Sequence, residues 1–327
     1  MTSLPGSAPE VVTLGETMAM MRSGRVGSLA HLPEVEISLG GAESNVAVGL
    51  RRLGVEVAWI GRVGDDDLGE RVAREIRAEG VIAHAVVDPE RPTGLMIKSH
   101  PTSRSTRVAY YRSGSAGSAL APEDVPAGLI EGARLLHLTG ITPMLSTTAA
   151  RSAREAAERA AAAGTLVSVD INYRSALGPP ERCAELLQPV LAHADLVFGG
   201  PEELALLAPT TDPQDHDALL EAASEDGTRD VVLKLGADGA RVRARGGQEA
   251  QAPAVPVDVV DTVGAGDAFV AGYLSALLEG ADLVSCLERG ALCGAAACST
   301  PGDWEGAPRR RDLERSSSAA STDPVDR

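Results

Sequence analysis

The residues best suited to chemistry lie in Asp261-Thr262-Val263-Gly264-Ala265-Gly266-Asp267-Ala268-Phe269. A Pro-containing run, Val255 to Val260, reads as a strand leading into this segment, and an apolar-periodic helix follows it. Small residues at Gly264, Ala265 and Gly266 let main-chain N–H groups at a helix start close on an anion. Asp267 would repel a phosphate that was merely held there. Its place makes sense where a carboxylate takes the proton from a hydroxyl attacking that phosphate. The plainer alternative is a glycine-rich turn with Asp267 capping the helix. In Gly40-Gly41-Ala42-Glu43-Ser44-Asn45, paired glycines open a second helix whose early Asn45 can aim its amide at whatever lies over the turn. Alone, that run is also an ordinary helix N-terminus.

Two further segments carry arginines where a ligand could meet them. In Tyr110-Tyr111-Arg112, an arginine two residues after an inward-reaching tyrosine can fork onto a carboxylate, although such pairs are also common on plain surfaces. In Asp170-Ile171-Asn172-Tyr173-Arg174, a second arginine falls just past the carboxyl end of a strand, where open α/β sheets bind ligands.

Positioning these groups requires alternating strands and helices. Strands are expected at Val11–Gly15, Val57–Ile60, Val81–Val87, Leu135–Leu138, Leu166–Asp170, Leu196–Phe198 and Val231–Leu235. A further strand, Ala240–Ala244, pairs with the last of these through Asp238-Gly239. Helices are expected at Ser44–Leu53, Leu68–Glu79, Thr147–Ala163, Glu181–Leu191, Gly264–Leu278 and Leu283–Ala297. This is a βαβ rhythm, and hence an α/β fold. Met18–Leu39 and Leu95–Tyr111 break it with short alternating runs, which can pair into a small separate sheet over one edge. Ser316–Arg327 lacks apolar periodicity and reads as a disordered tail.

The 327 residues suffice for one large α/β domain. No apolar run approaches the roughly 20 residues of a membrane span, and Met1–Glu10 lacks the pattern of a secretory signal. A net charge of −16 argues against a nucleic-acid binder. Lys98 and Lys234 are the only lysines. Cys183, Cys286, Cys293 and Cys298 form no CxxC pair and read as reduced, buried thiols of a cytoplasmic protein; the scattered histidines offer no metal spacing. There is no GxxxxGK[ST] phosphate loop, and GAGD lacks the third glycine and acidic partner of a dinucleotide site, which weighs against an oxidoreductase.

Gly40-Gly41 through Gly54, together with Asp261-Thr262-x-Gly264-Ala265-Gly266-Asp267-x-Phe269, resembles the two signatures of the ribokinase-like, or PfkB, carbohydrate kinase family. The similarity runs from about Val11 to Gly302. It implies a three-layer α/β/α domain over residues 11–308, with a mostly parallel central sheet and a small β-strand lid from about 17–39 and 94–113. An N-terminal extension (1–10) and a disordered C-terminal tail (309–327) flank it. By the same resemblance, Gly264, Ala265 and Gly266 hold the developing phosphoryl charge and Asp267 is the general base. Lys234-Leu235-Gly236-Ala237-Asp238-Gly239 resembles the nucleotide-side loop, although a plain hairpin would read the same way. ATP is implied with Mg²⁺ on its phosphates and water, Glu203 acting indirectly, and a monovalent cation near Asp261 is left open.

For the sugar, Met20 stands where many relatives that take neutral sugars have an aspartate. The segments around Tyr110-Tyr111-Arg112 and Asn172-Tyr173-Arg174, and His137-Leu138-Thr139-Gly140-Ile141, resemble 2-keto-3-deoxygluconate kinases. That implies phosphorylation of an acidic sugar at its terminal hydroxyl. Tyr110, Arg112 and Arg174 would hold the acid end, and Gly40, Gly41, Asn45 and Asn172 would face hydroxyls. Fructose, ribose or 5-keto-2-deoxygluconate as substrate, and a catalytically silent sugar binder, are the rival expectations. Three positions depart from the family pattern: Gly200 replaces an Asn in Gly200-Pro201-Glu202-Glu203, Met96 a tyrosine, and Ala291–Ala295 lacks an Asn. A homodimer or higher homo-oligomer through the lid is expected.

Overall fold

Short apolar runs alternate with amphipathic helices along the chain, which the computed structural model describes over residues 8–102, 105–208, 211–224 and 229–318. The first part of the chain forms β1 (Val11–Leu14), β2 (Met18–Val26), β3 (Glu36–Gly40), α1 (Ala42–Arg52), β4 (Val57–Gly64), α2 (Asp67–Ala78), β5 (Ile82–Asp88), β6 (Leu95–Thr102) and β7 (Ser105–Tyr111). Next come β8 (Leu135–Thr139), α3 (Ile141–Leu145), α4 (Thr147–Ala163), β9 (Leu166–Asp170), α5 (Pro180–Leu191), β10 (Leu196–Gly199), α6 (Pro201–Leu204) and α7 (His216–Ala223). The last part adds β11 (Asp230–Lys234), β12 (Ala240–Arg243), β13 (Glu249–Ala252), α8 (Ala265–Leu278), α9 (Leu283–Cys298) and α10 (Arg310–Ser318).

The main sheet has the order β13-β12-β11-β10-β9-β8-β1-β4-β5. Every pair from β5 to β11 is parallel, and β12 and β13 return antiparallel. Strands covered on both faces are mostly apolar, and β1 and β8 are buried at every position, Thr13, His137 and Thr139 included. One face packs on α1, α2, α8 and α9, the other on α4, α5 and α7, which gives three layers. Alanines 149, 153, 156, 157 and 160 let α4 lie flat on its face; Ser146 caps the start and Gly164, in the left-handed region, ends it. The chain adds β4 and β5 on one side of β1 and the later strands on the other. The crevice at the carboxyl ends beside such a reversal is the natural ligand site.

A second sheet, β3-β2-β6-β7, stands apart from the first, in agreement with the strand excursions expected from the sequence. Met18, Met20 and Met96 pack together with Val108 in it. Close helix packing sets the site beneath. A side chain at Gly49 would meet Ala271, and one at Gly272 would strike the Arg289 carbonyl and the Cys293 sulfur. Glycine at both positions lets α1 and α9 approach α8 closely.

Two expectations are corrected. Val255–Val260 is not a strand: Pro253 and Pro256 lack amide donors, and the segment joins neither sheet, with Val259 and Val260 exposed and the Val260 amide donating to the Cys298 carbonyl at 2.8 Å. The edge strand is the polar β13 instead, which carries no apolar signal. Within the expected disordered tail, 310–318 is helical, because Leu313 packs against Leu53 and Arg310 Nε donates to the Leu53 carbonyl at 2.8 Å. Residues 319–327, and 1–7 of the expected N-terminal extension, lie outside the described residues.

Candidate active site

A cleft of about 380 Å³ opens beyond the carboxyl ends of β9 and β11, with side chains of β6 and β7 on its other wall. Asn172, Arg174, Lys234, Gly264, Gly266 and Asp267 line it. Gly264 begins α8 with φ +77, and the Asp303 carbonyl lies 1.7 Å from where a Cβ would be. Only glycine fits there. The Ala265 amide makes a long bond to the Thr262 carbonyl at 3.3 Å, and the other amides of the first turn have no partner one turn back within the helix, so the loop offers donors and the positive end of a helix dipole.

Asp267 is not the helix cap: Gly264 holds that position with no side-chain bond. Its carboxylate is buried and oriented from two elements. Asn45 Nδ2 donates to Oδ2 at 2.8 Å from α1, and Asn172 Nδ2 donates to Oδ1 at 3.3 Å from beyond β9. Burial raises this carboxyl to about 6. The Asn45 bond opposes the rise, Asp170 adds to it, and Arg174 and Lys234 oppose it. An acid so tuned is ionised at neutral pH yet binds a proton better than an ordinary aspartate, as a general base must. Asn172 has φ +42, a conformation asparagine tolerates, and its amide donates to Asp170 Oδ1 at 3.2 Å.

Lys234 turns inward. Its ammonium donates to Asp170 at 2.7 and 2.9 Å, and a side chain at Gly266 would come within 3.7 Å of it. Burial works against its charge, but Asp170 and Glu203 hold its pKa above the usual value. Of the expected nucleotide loop, Lys234 alone lines the cleft. Gly236–Asp238 form an exposed 3-10 turn, and Leu235 and Gly239 lie on either side of it. Gly40 and Gly41 serve by absence of bulk: a Cβ would strike Asp303 and Met96 at Gly40, and the Glu16 carbonyl at Gly41.

A second hollow of about 310 Å³ shares Tyr110 and Arg174 with the first, and Arg112 and Arg182 complete its charged lining. Arg112 does not have the free fork expected of it. Its Nε donates to Glu16 Oε2 at 2.7 Å and its Nη2 lies 2.6 Å from the same oxygen, while Ser115 donates to Oε1. The guanidinium instead lies 5.9 Å from the Tyr110 ring centre and braces that residue. Arg182, in the first turn of α5, was not singled out from the sequence, and no local motif marks it. Glu16, Lys98, Asp170 and Asp303 were missed as well. Of these only Lys98 carried a signal, as one of two lysines in the chain.

The model of the pfkB family carbohydrate kinases matches residues 8–310. The chain belongs to that family. It is thus a sugar phosphotransferase of ribokinase-like fold. The 2-dehydro-3-deoxygluconokinase of Bacillus subtilis (strain 168) is 36% identical over 96% of this chain and 97% of its own. A PfkB protein of Polaromonas sp. JS666 has a crystal structure with TM-score 0.83 at 35% identity, covering 94% of this chain and 99% of its own. A fructokinase of Xylella fastidiosa with bound ATP is 25% identical, with TM-score 0.83, over 96% of this chain and 100% of its own.

Two of the three positions where this carbohydrate kinase departs from its family pattern have local explanations; nothing in the structure explains the absent Asn in 291–295. Gly200 begins α6, and its amide donates to Glu203 Oε2 at 2.7 Å while the Tyr173 amide donates to Oε1 at 2.9 Å. Glu203 therefore keeps its place on the cleft wall without an asparagine at position 200. Met96 joins Met18 and Met20 in an apolar lining. At Asp261, where a monovalent cation was left open, Lys98 Nζ lies 2.5 Å from Oδ2.

Proposed function

We propose that this kinase transfers the γ-phosphoryl of ATP to the terminal 6-hydroxyl of 2-keto-3-deoxygluconate. The observation that carries the reading is the second hollow. Arg112, Arg174 and Arg182 line it with no carboxylate among its walls, in a chain of net charge −16. It adjoins the cleft that holds Asp267, so an acid whose far end carries a hydroxyl can span the two. Arg174 and Arg182 would take the carboxylate and Tyr110 would pack on the chain between, with Arg112 fixing the tyrosine. The name of the Bacillus relative gives the same compound under its other name.

Asp267 would accept the hydroxyl proton as the oxygen bonds to the γ-phosphorus. The bond from that phosphorus to the bridging oxygen of ADP breaks, and ADP leaves. The amides of Gly264, Ala265 and Gly266, and the Lys234 ammonium, would meet the charge on the transferring group. Among the described residues no three His, Cys, Asp or Glu side chains cluster to hold a metal. The Glu203 carboxylate on the cleft wall suits a magnesium ion carried on the phosphates and reached through water, which would spread their charge. Leu235–Gly239 would border the nucleotide from outside the cleft.

No helix among the described residues is long and apolar enough to cross a membrane. With the thiols of Cys183, Cys286 and Cys293 buried and all four cysteines free, we place the protein in the cytoplasm. Val26, Ile37 and Tyr111 are exposed on the small sheet and would pair copies of the chain, which light scattering would show as a dimer.

ADP release with a panel of sugars tests the assignment. The acid should exceed fructose, ribose and 5-keto-2-deoxygluconate in kcat/KM by about tenfold or more, as charge recognition predicts. A preference for fructose or ribose would overturn it, and a sugar that raises the melting temperature without any ADP release would mark a silent binder.

A further inference from the structure

The chain contains two lysines, and both line the cleft. Lys234 faces the loop at Gly266, as described above. Lys98 stands on β6 of the small sheet, is 1% exposed, and reaches across to the main body. Its Nζ lies 2.5 Å from Asp261 Oδ2, 3.3 Å from Asp303 Oδ1 and 3.4 Å from the Gly302 carbonyl. Three oxygens thus meet the three protons of one ammonium. A compact charge suits such a site, and the broad planar fork of arginine, used nearly everywhere else in the chain, does not.

None of these oxygens belongs to the small sheet, and all border the loop that holds the first amides of α8. Asp261 Oδ1 accepts the Val263 amide at 3.1 Å and Oδ2 accepts the Gly302 amide at 3.3 Å, so one carboxylate joins the two loops. The Asp303 carbonyl fills the space beside Gly264, and Asp303 Oδ2 sits against Gly40. A shift of Asp303 would therefore disturb both the first residue of the anion-binding turn and the start of α1. Without a cation between them, Asp261 and Asp303 would stand as like charges in a buried place, with Asp267 nearby.

We propose that Lys98 is a positioning residue for phosphoryl transfer: its ammonium fastens β6 to Asp261 and Asp303, so the anion-binding turn takes its working shape only while the small sheet is seated over the cleft. The lysine does for these carboxylates what a dissolved cation would otherwise have to do. The native enzyme then needs no added monovalent ion. The claim does not depend on which sugar is phosphorylated.

The test uses full-length enzyme with whichever sugar it turns over fastest. Lys98→Met keeps the bulk of the side chain and removes the charge. It should lower kcat by about thirtyfold or more and move KM for the sugar by less than about threefold. Lys98→Ala leaves a gap lined by two carboxylates and a carbonyl, the oxygen set of a small monovalent cation. Its kcat should rise about tenfold with tens-of-millimolar potassium, ammonium or methylammonium, saturably, against choline at equal ionic strength. Wild-type kcat should change by less than about twofold in the same exchange. Should Lys98→Ala melt early in choline, potassium must raise its midpoint and its kcat together.

Any of four results overturns the proposal. Lys98→Met could turn over like wild type. Lys98→Ala could melt cooperatively yet stay slow in every cation. Its midpoint could recover without its kcat. Wild type could prove as dependent on potassium as Lys98→Ala.

Discussion

Asp267 is caught between two demands. Burial raises its carboxyl to about 6, against 3.8 for the ordinary group, and that proton affinity is what an attacking hydroxyl requires. Turnover should therefore fall as pH drops through about 6, because the base is filled in advance, and a pH–rate profile reads the limb directly. Asp267→Asn should lower kcat by about 10³-fold while nucleotide binding, followed by calorimetry, persists. The same shift has a cost in stability. A group that binds its proton more tightly folded than unfolded stabilises the fold below about pH 4, and that contribution is lost as pH rises through 6. Asp267→Asn should thus melt later than wild type at pH 8, by on the order of 2 kcal/mol, with the gap closing as pH falls from 6 to 4. The arginines separate by their partners. Arg182→Ala should raise KM for the acid sugar about tenfold with the melting temperature unchanged. Arg112→Ala should instead lower stability by about 3 kcal/mol, since it leaves the covered Glu16 carboxylate without a counter-charge. Thermal melts beside steady-state kinetics distinguish the two.

At the scale of elements, glycine sets distances that side chains then use. Gly49 allows α1 to lie against Ala271 of α8, and that approach puts Asn45 within 2.8 Å of Asp267. Gly49→Val should push the helices apart and reduce kcat more than it raises KM, because Asn45 orients the base. Gly264→Ala combines a positive φ with a carbonyl 1.7 Å from the new methyl, so little folded, active enzyme should be recovered. Gly236, also at positive φ, has open space around it; Gly236→Ala should cost only about 1 kcal/mol in a denaturant melt and leave turnover intact. Element types were legible wherever burial on both faces imposed a mostly apolar run, as in β1 and β8. They were illegible where tertiary contact replaced pattern. β13, Glu-Ala-Gln-Ala, is held by pairing with β12, and α10 is anchored through Arg310 and Leu313.

For the molecule as a whole, the cleft proposed for phosphoryl transfer is walled by the main domain and by the small sheet that meets it. Asp267, Lys234 and the turn at Gly264 line it from the main domain; Tyr110, Met96 and Lys98 line it from the sheet. Activity should therefore respond to changes on the sheet that touch no reacting atom. A Met96→Ala substitution, which opens a gap in the methionine cluster, should raise KM for the sugar by about fivefold. The proposed pairing of copies through exposed Val26, Ile37 and Tyr111 belongs to this scale too. Light scattering of the purified chain reads the pairing.

The motifs around Gly264 and Gly40 were determined by sequence alone, since a turn that must admit a carbonyl or an anion tolerates nothing larger than glycine, and with them came the family and the reaction type. The parallel core was equally fixed, because strands buried on both faces are built mostly from apolar residues, with a polar side chain such as Thr13 or His137 admitted here and there. Partnership was decided by the tertiary structure. Arg112 and Arg182 look alike as residues, yet one faces Glu16 from a segment 96 positions away, and the other opens into the hollow. Lys98 meets Asp261 and Asp303 only because the small sheet folds over the loop that carries them. Charge acts through distance in space, and distance in space is what a linear order of residues leaves unspecified.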